Sequence, residues 1–355
     1  MPFKLNSFPY LVKLAVFDQM EYRSIFLLSL CSVKIRKFIE NHLRKNVAYI
    51  RYIFSSNGIQ VLVESPNGSQ EIMVVVKAAH KSINSYSLSN TGIESLQQLV
   101  EFCKDGDGLV KIKYYMQLPN NEESMKRVII ENVTALFSRK SPTVQLKVRF
   151  DDGLGELVPI PGVQSTKLGG NQVDVTFLEE LFTKYPNQRN ASIASLLTGE
   201  LSSDSNIFKL QDLWCKNVSR LALPIAKRFN GRNLILLNAD LDPVEELTSI
   251  VRKWISNESY HNLKVMHIRS KSRIDRRRSG IRQVAQTRWL LEPYMFEYES
   301  INKESFIRPM SIDCRRYYQI ERESDHKIAA FRVINRSFEF FVWNRTRDQF
   351  VEMVR

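Results

Sequence analysis

The chain has 355 residues, 43% hydrophobic and 25% charged. That mixture can build real cores, excludes a largely disordered protein, and at ~150 residues per domain suggests roughly two domains. Against 38 acidic residues stand 51 basic ones, a net charge of +13, which suits nucleic acid, an acidic membrane surface or an acidic protein partner without choosing among them.

Residues 1–46 read as helices. Ser7 is placed to cap the first and Pro9 suits its first turn. Leu11, Val12, Ala15, Val16 and Met20 then recur at three- and four-residue spacing, which gives one apolar face. A second helix is expected over 23–30 and a third over 32–43, with Ile35, Phe38 and Ile39 inward. Three short helices bury little surface alone and need a neighbour. Pro9, Leu11, Val16, Phe17, Met20, Ile25 and Leu28 would leave an apolar patch of partner-site size, unless the chain's own later strands cover it.

From 47 the period changes to that of strands. Runs at 48–54, 59–64 and 72–76 are separated by Asn57-Gly58 and Pro66-Asn67-Gly68, the signature of a three-stranded meander. A helix over 93–102, a strand over 109–115, a mixed segment over 125–137 and a strand over 144–150 follow. Residues 151–172 hold a Gly- and Pro-rich loop cluster and a lobe boundary. Beyond 173 the rhythm is strand, turn, helix: an amphipathic helix over 176–182, a strand over 234–237, a helix from Asp242-Pro243 to Trp254, and a strand over 263–268. Strands over 316–321, 329–333 and 337–343 close the chain. The divisions expected are therefore 1–46, 47–172 and 173–355. The fold class expected is α/β, α+β overall, with an irregular leucine-rich-like solenoid as an alternative for the mixed strand–helix lobe.

No stretch approaches the ~20 apolar residues of a membrane span. The cysteines, Cys31, Cys103, Cys215 and Cys314, form no C-x-x-C pair, so reduced thiols in an intracellular protein are expected. Phosphate-binding glycine loops, H-E-x-x-H and G-x-S-x-G are missing, and the five histidines are scattered. The expectation is a non-catalytic protein with no cofactor and no metal. The densest charge feature is residues 269–282, with seven basic residues and one acid. Arg269, Lys271, Arg273, Arg276, Arg277, Arg278 and Arg282 are its candidates for substrate or phosphate contact; the alternatives are a nucleic-acid-binding segment or a solvated loop.

Two stretches carry a resemblance. Phe3-Lys-Leu5-Asn-Ser-Phe8-Pro9-Tyr10-Leu11-Val12, Met20, Phe26-Leu-Leu-Ser-Leu-Cys-Ser32 and Arg36-Lys-Phe-Ile39 together resemble an F-box, most of all the divergent nematode-type family. Two positions depart from the commoner pattern: Tyr10-Leu11 follow the proline where acids are usual, and Ile35 and Phe38 stand where many carry a tryptophan. The stretch 247–268, with Trp254-Ile255 ending a helix and Asn257 and Leu263 leading into a strand, is similar to the type 2 F-box-associated domain, as are Tyr317-Tyr-Gln-Ile320 and Phe340-Phe-Val-Trp343.

The resemblance implies a three-helix F-box over 1–46 and a substrate-binding lobe over 173–355. It implies a non-catalytic substrate-recognition subunit of an SCF-type (cullin-RING) ubiquitin ligase, cytoplasmic or nuclear, that bridges a Skp-family adaptor, and through it a cullin, to an unknown target protein. Pro9, Leu11, Val12, Val16, Phe17, Met20, Ile25, Leu28 and Leu30 would supply the adaptor interface and its support.

Overall fold

The structure, a computed structural model, describes residues 7–56, 58–79, 100–104, 110–115, 121–150, 157–275, 277, 278, 280, 283, 284, 287, 288, 295–298 and 310–354. The chain is mixed α/β and divides into two compact units, Met1–Gln164 and Ser165–Arg355. The helical start and the meander, expected as separate stretches, share the first unit.

That unit opens with α1 (Tyr10–Gln19), α2 (Tyr22–Cys31) and α3 (Val33–His42). Ser7 does not cap α1; Pro9 itself occupies the cap position, and its carbonyl accepts from the Lys13 amide. Ser32 caps α3 through its hydroxyl, which accepts from the Ile35 amide. The meander forms as β1 (Tyr49–Ser55), β2 (Gly58–Glu64) and β3 (Gln70–Ala79), each antiparallel to the next. Residues 100–102, expected as the end of a helix, belong to a strand, β4 (Val100–Lys104), paired with β5 (Val110–Tyr115). The rest of that expected helix lies outside the described residues. Cross-strand pairing outweighs the weak helical spacing there. The mixed segment is one helix, α4 (Asn121–Phe137), and β6 (Thr143–Phe150) lies parallel to β1.

Alternation builds the core of this unit. Ile50, Tyr52 and Phe54 of β1 lie beside Val63, Val61 and Ile59 of β2, and Leu146 and Val148 extend the layer. Ile129, Val133 and Phe137 of α4 are likewise buried. The helical start is pinned to this core by polar bonds. Glu71 on β3 accepts from the first amides of α2, at Tyr22 (3.1 Å) and Arg23 (2.9 Å), which satisfies donors a helix start leaves open. The Tyr22 hydroxyl donates to the Asn46 carbonyl, and Arg36 on α3 donates to Asn132 on α4.

The second unit begins within β7 (Val163–Gly170), which falls inside the expected loop cluster, and continues with β8 (Gln172–Asp174) and α5 (Val175–Lys184). Next come β9 (Asn190–Thr198), β10 (Asp212–Asn217), α6 (Ala222–Arg228), β11 (Asn233–Ala239), α7 (Glu246–Ile255) and β12 (Val265–Ser270). The remainder is β13 (Thr287–Arg288), β14 (Met295–Tyr298), β15 (Met310–Asp313), β16 (Tyr318–Glu321), β17 (Lys327–Ile334), β18 (Ser337–Thr346) and α8 (Arg347–Val354). β7, β9, β10, β11 and β12 are parallel neighbours in that order, and β18, β17, β16 and β13 continue antiparallel.

The parallel strands share one register, which aligns Ser165, Asn190, Asp212, Asn233 and Val265. Behind them the apolar faces of α5, α6 and α7 are buried, with Trp254 edge-on to Phe340 at 5.5 Å. In front, Asp212 and Asn233 form a buried polar line. The Asn233 amide donates to Asp212 (2.6 Å) and to the Tyr298 hydroxyl (2.7 Å). Buried polar groups need such partners, and Tyr298 thereby fastens the β14–β15 hairpin over the strand stack. Phe296, Cys314, Tyr317, Phe341 and Trp343 complete the apolar cluster beneath it.

Candidate docking surface and basic clusters

The sequence-predicted docking residues separate into three kinds. Pro9, Leu11 and Val12 are exposed, Leu11 to 71% and Val12 to 44%. Val16, Met20 and Leu28 are half-buried. Phe17, Ile25 and Leu30 are 3%, 0% and 1% exposed, so these three are core and can only support a surface. The reason lies in the neighbours: α2 is sandwiched against α3, α4 and β3, and that packing takes up its apolar side.

The same packing leaves α1 on the outside. Its inner side is anchored by Leu14 and Phe17, and Phe17 meets Phe38 of α3 at 5.7 Å. Tyr10 is edge-on to Phe38, and its hydroxyl and the His42 Nδ1 are 3.1 Å apart. Phe38 thus occupies the middle of an aromatic cluster. Outside that cluster Leu11, Val12 and Ala15 also face water, in a helix whose polar residues are Lys13, Asp18 and Gln19. Adjacent large apolar side chains on the outer side of a helix ordinarily meet a partner. Of the six large hydrophobic residues that are exposed among the described residues, four (Tyr10, Leu11, Val12, Val33) belong to these first helices.

The basic run leaves β12 at Arg269. Arg269, Lys271, Arg273, Arg277 and Arg278 are all exposed; Arg276 and Arg282 lie outside the described residues. The segment is tacked down by backbone, not by charge. Amides of Ser270, Lys271 and Ile274 donate to carbonyls of Arg336, Ala239 and Asn335, and Ile274 is buried. Its one ion pair in the described part is Arg278–Glu245 at 4.0 Å, between two exposed side chains, which contributes little. Lys271 also donates to the Ser219 hydroxyl at 3.4 Å; all five described cations stay exposed to solvent and to an external anion.

On β12, His267 stands across from Glu339 of β18. Glu339 accepts from Arg332 at 2.7 Å and from the Tyr317 hydroxyl. Burial, helped by Arg269 and Arg332, depresses the His267 pKa against the pull of Glu339. Among the described residues no group of three or more His, Cys, Asp or Glu is placed to hold a metal ion, and no helix is long and apolar enough to cross a membrane.

One cluster had no local signature. Gln211, Arg232 and Lys264 each precede a strand, β10, β11 and β12 in turn. The parallel register sets them side by side at one edge of the sheet, where they line a cavity of about 650 Å³. Compared with family models, with characterised proteins and with solved structures, the chain matches none.

Proposed function

We propose that the chain is a substrate-recognition subunit of an SCF-type ubiquitin ligase, with α1 docking on a Skp-family adaptor and the second unit holding the target. One observation carries the reading: the outer side of α1, at the residues that resemble an F-box, is apolar and uncovered. Burying an apolar core supplies most of the energy of a protein interface, and a helix of this composition gains nothing by facing water. Pro9, Tyr10, Leu11, Val12 and Ala15 form the contact, with Val16, Met20 and Leu28 at its margin. Phe17, Ile25 and Leu30 hold α1 and α2 in place.

The test compares Leu11→Asp with Phe17→Ala. Leu11→Asp should leave folding stability within about 0.5 kcal/mol of the parent and abolish recovery of adaptor and cullin in a pull-down. Phe17→Ala should cost about 3–5 kcal/mol of stability by opening a core cavity. Full adaptor recovery with Leu11→Asp would overturn the reading.

The basic run supports a target-contact role in the same scheme. Its exposed cations suit an acidic or phosphorylated segment of the target. Arg273→Glu, Arg277→Glu and Arg278→Glu combined should abolish target capture and leave adaptor binding intact. Binding that instead falls steeply between low and moderate salt on unspecific nucleic acid would favour the nucleic-acid reading.

A further inference from the structure

The cavity beside Arg232 and Lys264 is not part of the docking scheme, and none of its residues lies in the first unit. It sits where β10, β11 and β12 begin, whereas the basic run starts where β12 ends. Six strand residues separate the two, about 20 Å at the usual rise. They are separate clusters.

Backbone bonds assemble the cavity wall. The Arg232 amide donates to the Gln211 carbonyl (2.7 Å), the Lys264 amide to the Arg232 carbonyl (2.8 Å), and the Val342 amide to the Lys264 carbonyl (2.9 Å). Neighbouring strands lie about 4.8 Å apart, so the Arg232 and Lys264 side chains leave the same edge as immediate neighbours. Lys327, at the start of β17, and Lys209 bring two more cations to the lining, and His261 adds an imidazole. None of the eleven lining residues is acidic. Asp325 pairs with Lys327 at 3.0 Å and with Arg322, so that carboxylate is shared between two cations.

Three observations show that this charge is not satisfied within the chain. Arg232 and Lys264 have no ion-pair partner among the described residues. The Arg232 Nε–H is buried and donates to nothing. Burial and the surrounding Arg232, Lys327 and Arg322 push the Lys264 pKa down to about 8. Buried or half-buried cations ordinarily acquire a partner. A cavity of this volume is within the range of small-ligand sites, but its lining is polar and cationic where such sites are mostly apolar.

We propose that this cavity binds a phosphate-bearing ligand, held by Arg232, Lys264 and Lys327. A phosphoryl group offers several acceptor oxygens and more than one negative charge, which matches an arginine fork flanked by two ammonium groups. The proposal is independent of the adaptor reading.

Calorimetric titration of the full chain at about 0.15 M ionic strength tests it. The probes are tripolyphosphate, a phosphoserine peptide with its unphosphorylated twin, and citrate. Saturable one-site binding of tripolyphosphate is expected, weakened roughly tenfold or more by Lys264→Met and by Arg232→Gln. Lys216→Met, which removes an exposed lysine near the far end of β10 and outside both clusters, should leave it unchanged. Arg232→Lys keeps the charge and guards against a folding defect; it should bind between the parent and Arg232→Gln. Tight binding of the phosphopeptide but not its twin would assign the phosphate to a protein ligand. Binding of tripolyphosphate alone would assign it to a free small molecule. The absence of saturable binding by either phosphate probe overturns the proposal. So does equal affinity for citrate, or equal weakening by Lys216→Met.

Discussion

Lys264→Met should make the protein more stable, an unusual outcome for removing a charged side chain. In the folded chain Lys264 loses its proton near pH 8, against 10.5 for a free lysine, because burial and three neighbouring cations oppose its charge. Moved that far, a lysine carries about 3 kcal/mol of cost in its charged form. The side chain is only half-buried beside an open cavity, so solvent screens much of this, and about 1 kcal/mol is expected. Below pH 8 both folded and unfolded chains hold the proton and the cost is present in full. Between pH 8 and 10.5 the unfolded chain binds more protons, so wild-type stability rises with pH through that window. The difference between wild type and Lys264→Met should therefore be largest at pH 7 and close by pH 10.5. All four tryptophans, Trp214, Trp254, Trp289 and Trp343, lie in the second unit. Guanidinium unfolding followed by tryptophan emission then reports that unit alone, and a shifted midpoint with an unchanged slope reads as stability. A variant less stable than wild type at pH 7 would refute the argument that Lys264 is held against its electrostatic preference.

Other consequences follow from single contacts. Glu71→Ala removes the acceptor from the first two amides of α2 and should cost about 1 kcal/mol, read as faster hydrogen exchange at Tyr22 and Arg23 with α4 unaffected. Gly231→Ala would place a Cβ 1.8 Å from the Leu210 carbonyl oxygen and 2.5 Å from the Phe229 ring; a loss of more than about 3 kcal/mol is expected, visible as loss of soluble protein. His267 is held neutral by burial. Its contribution is complete above the free histidine value of 6.5 and is lost as pH falls through the lower folded value. His267→Gln should flatten this acid limb in urea midpoints between pH 7 and 4, and an unchanged limb would count against a buried neutral imidazole.

The sequence by itself determined the local elements with strong signals. The three opening helices, the Asn-Gly meander, the helix ending at Trp254 and the three closing strands all appear within a few residues of their expected places, because apolar period and turn chemistry act over short range. It also located the basic run, since adjacent cations need no folding to be seen. What only the tertiary structure decided is which apolar residues are spent inside. Ile25 and Leu30 carry the same chemistry as Leu11 and Val12, yet β3 and α4 cover the first pair and leave the second in water. Periodicity names a face; only the partner element says whether that face is covered. β9, β10 and α6, unanticipated in the chain, gain their place from neighbours in the same way: parallel strands acquire their hydrogen bonds from residues far along the sequence. The cavity is the clearest case. Arg232 and Lys264 stand in unremarkable local sequence and become a pair of adjacent charges only because the register of β11 against β12 brings them to one sheet edge.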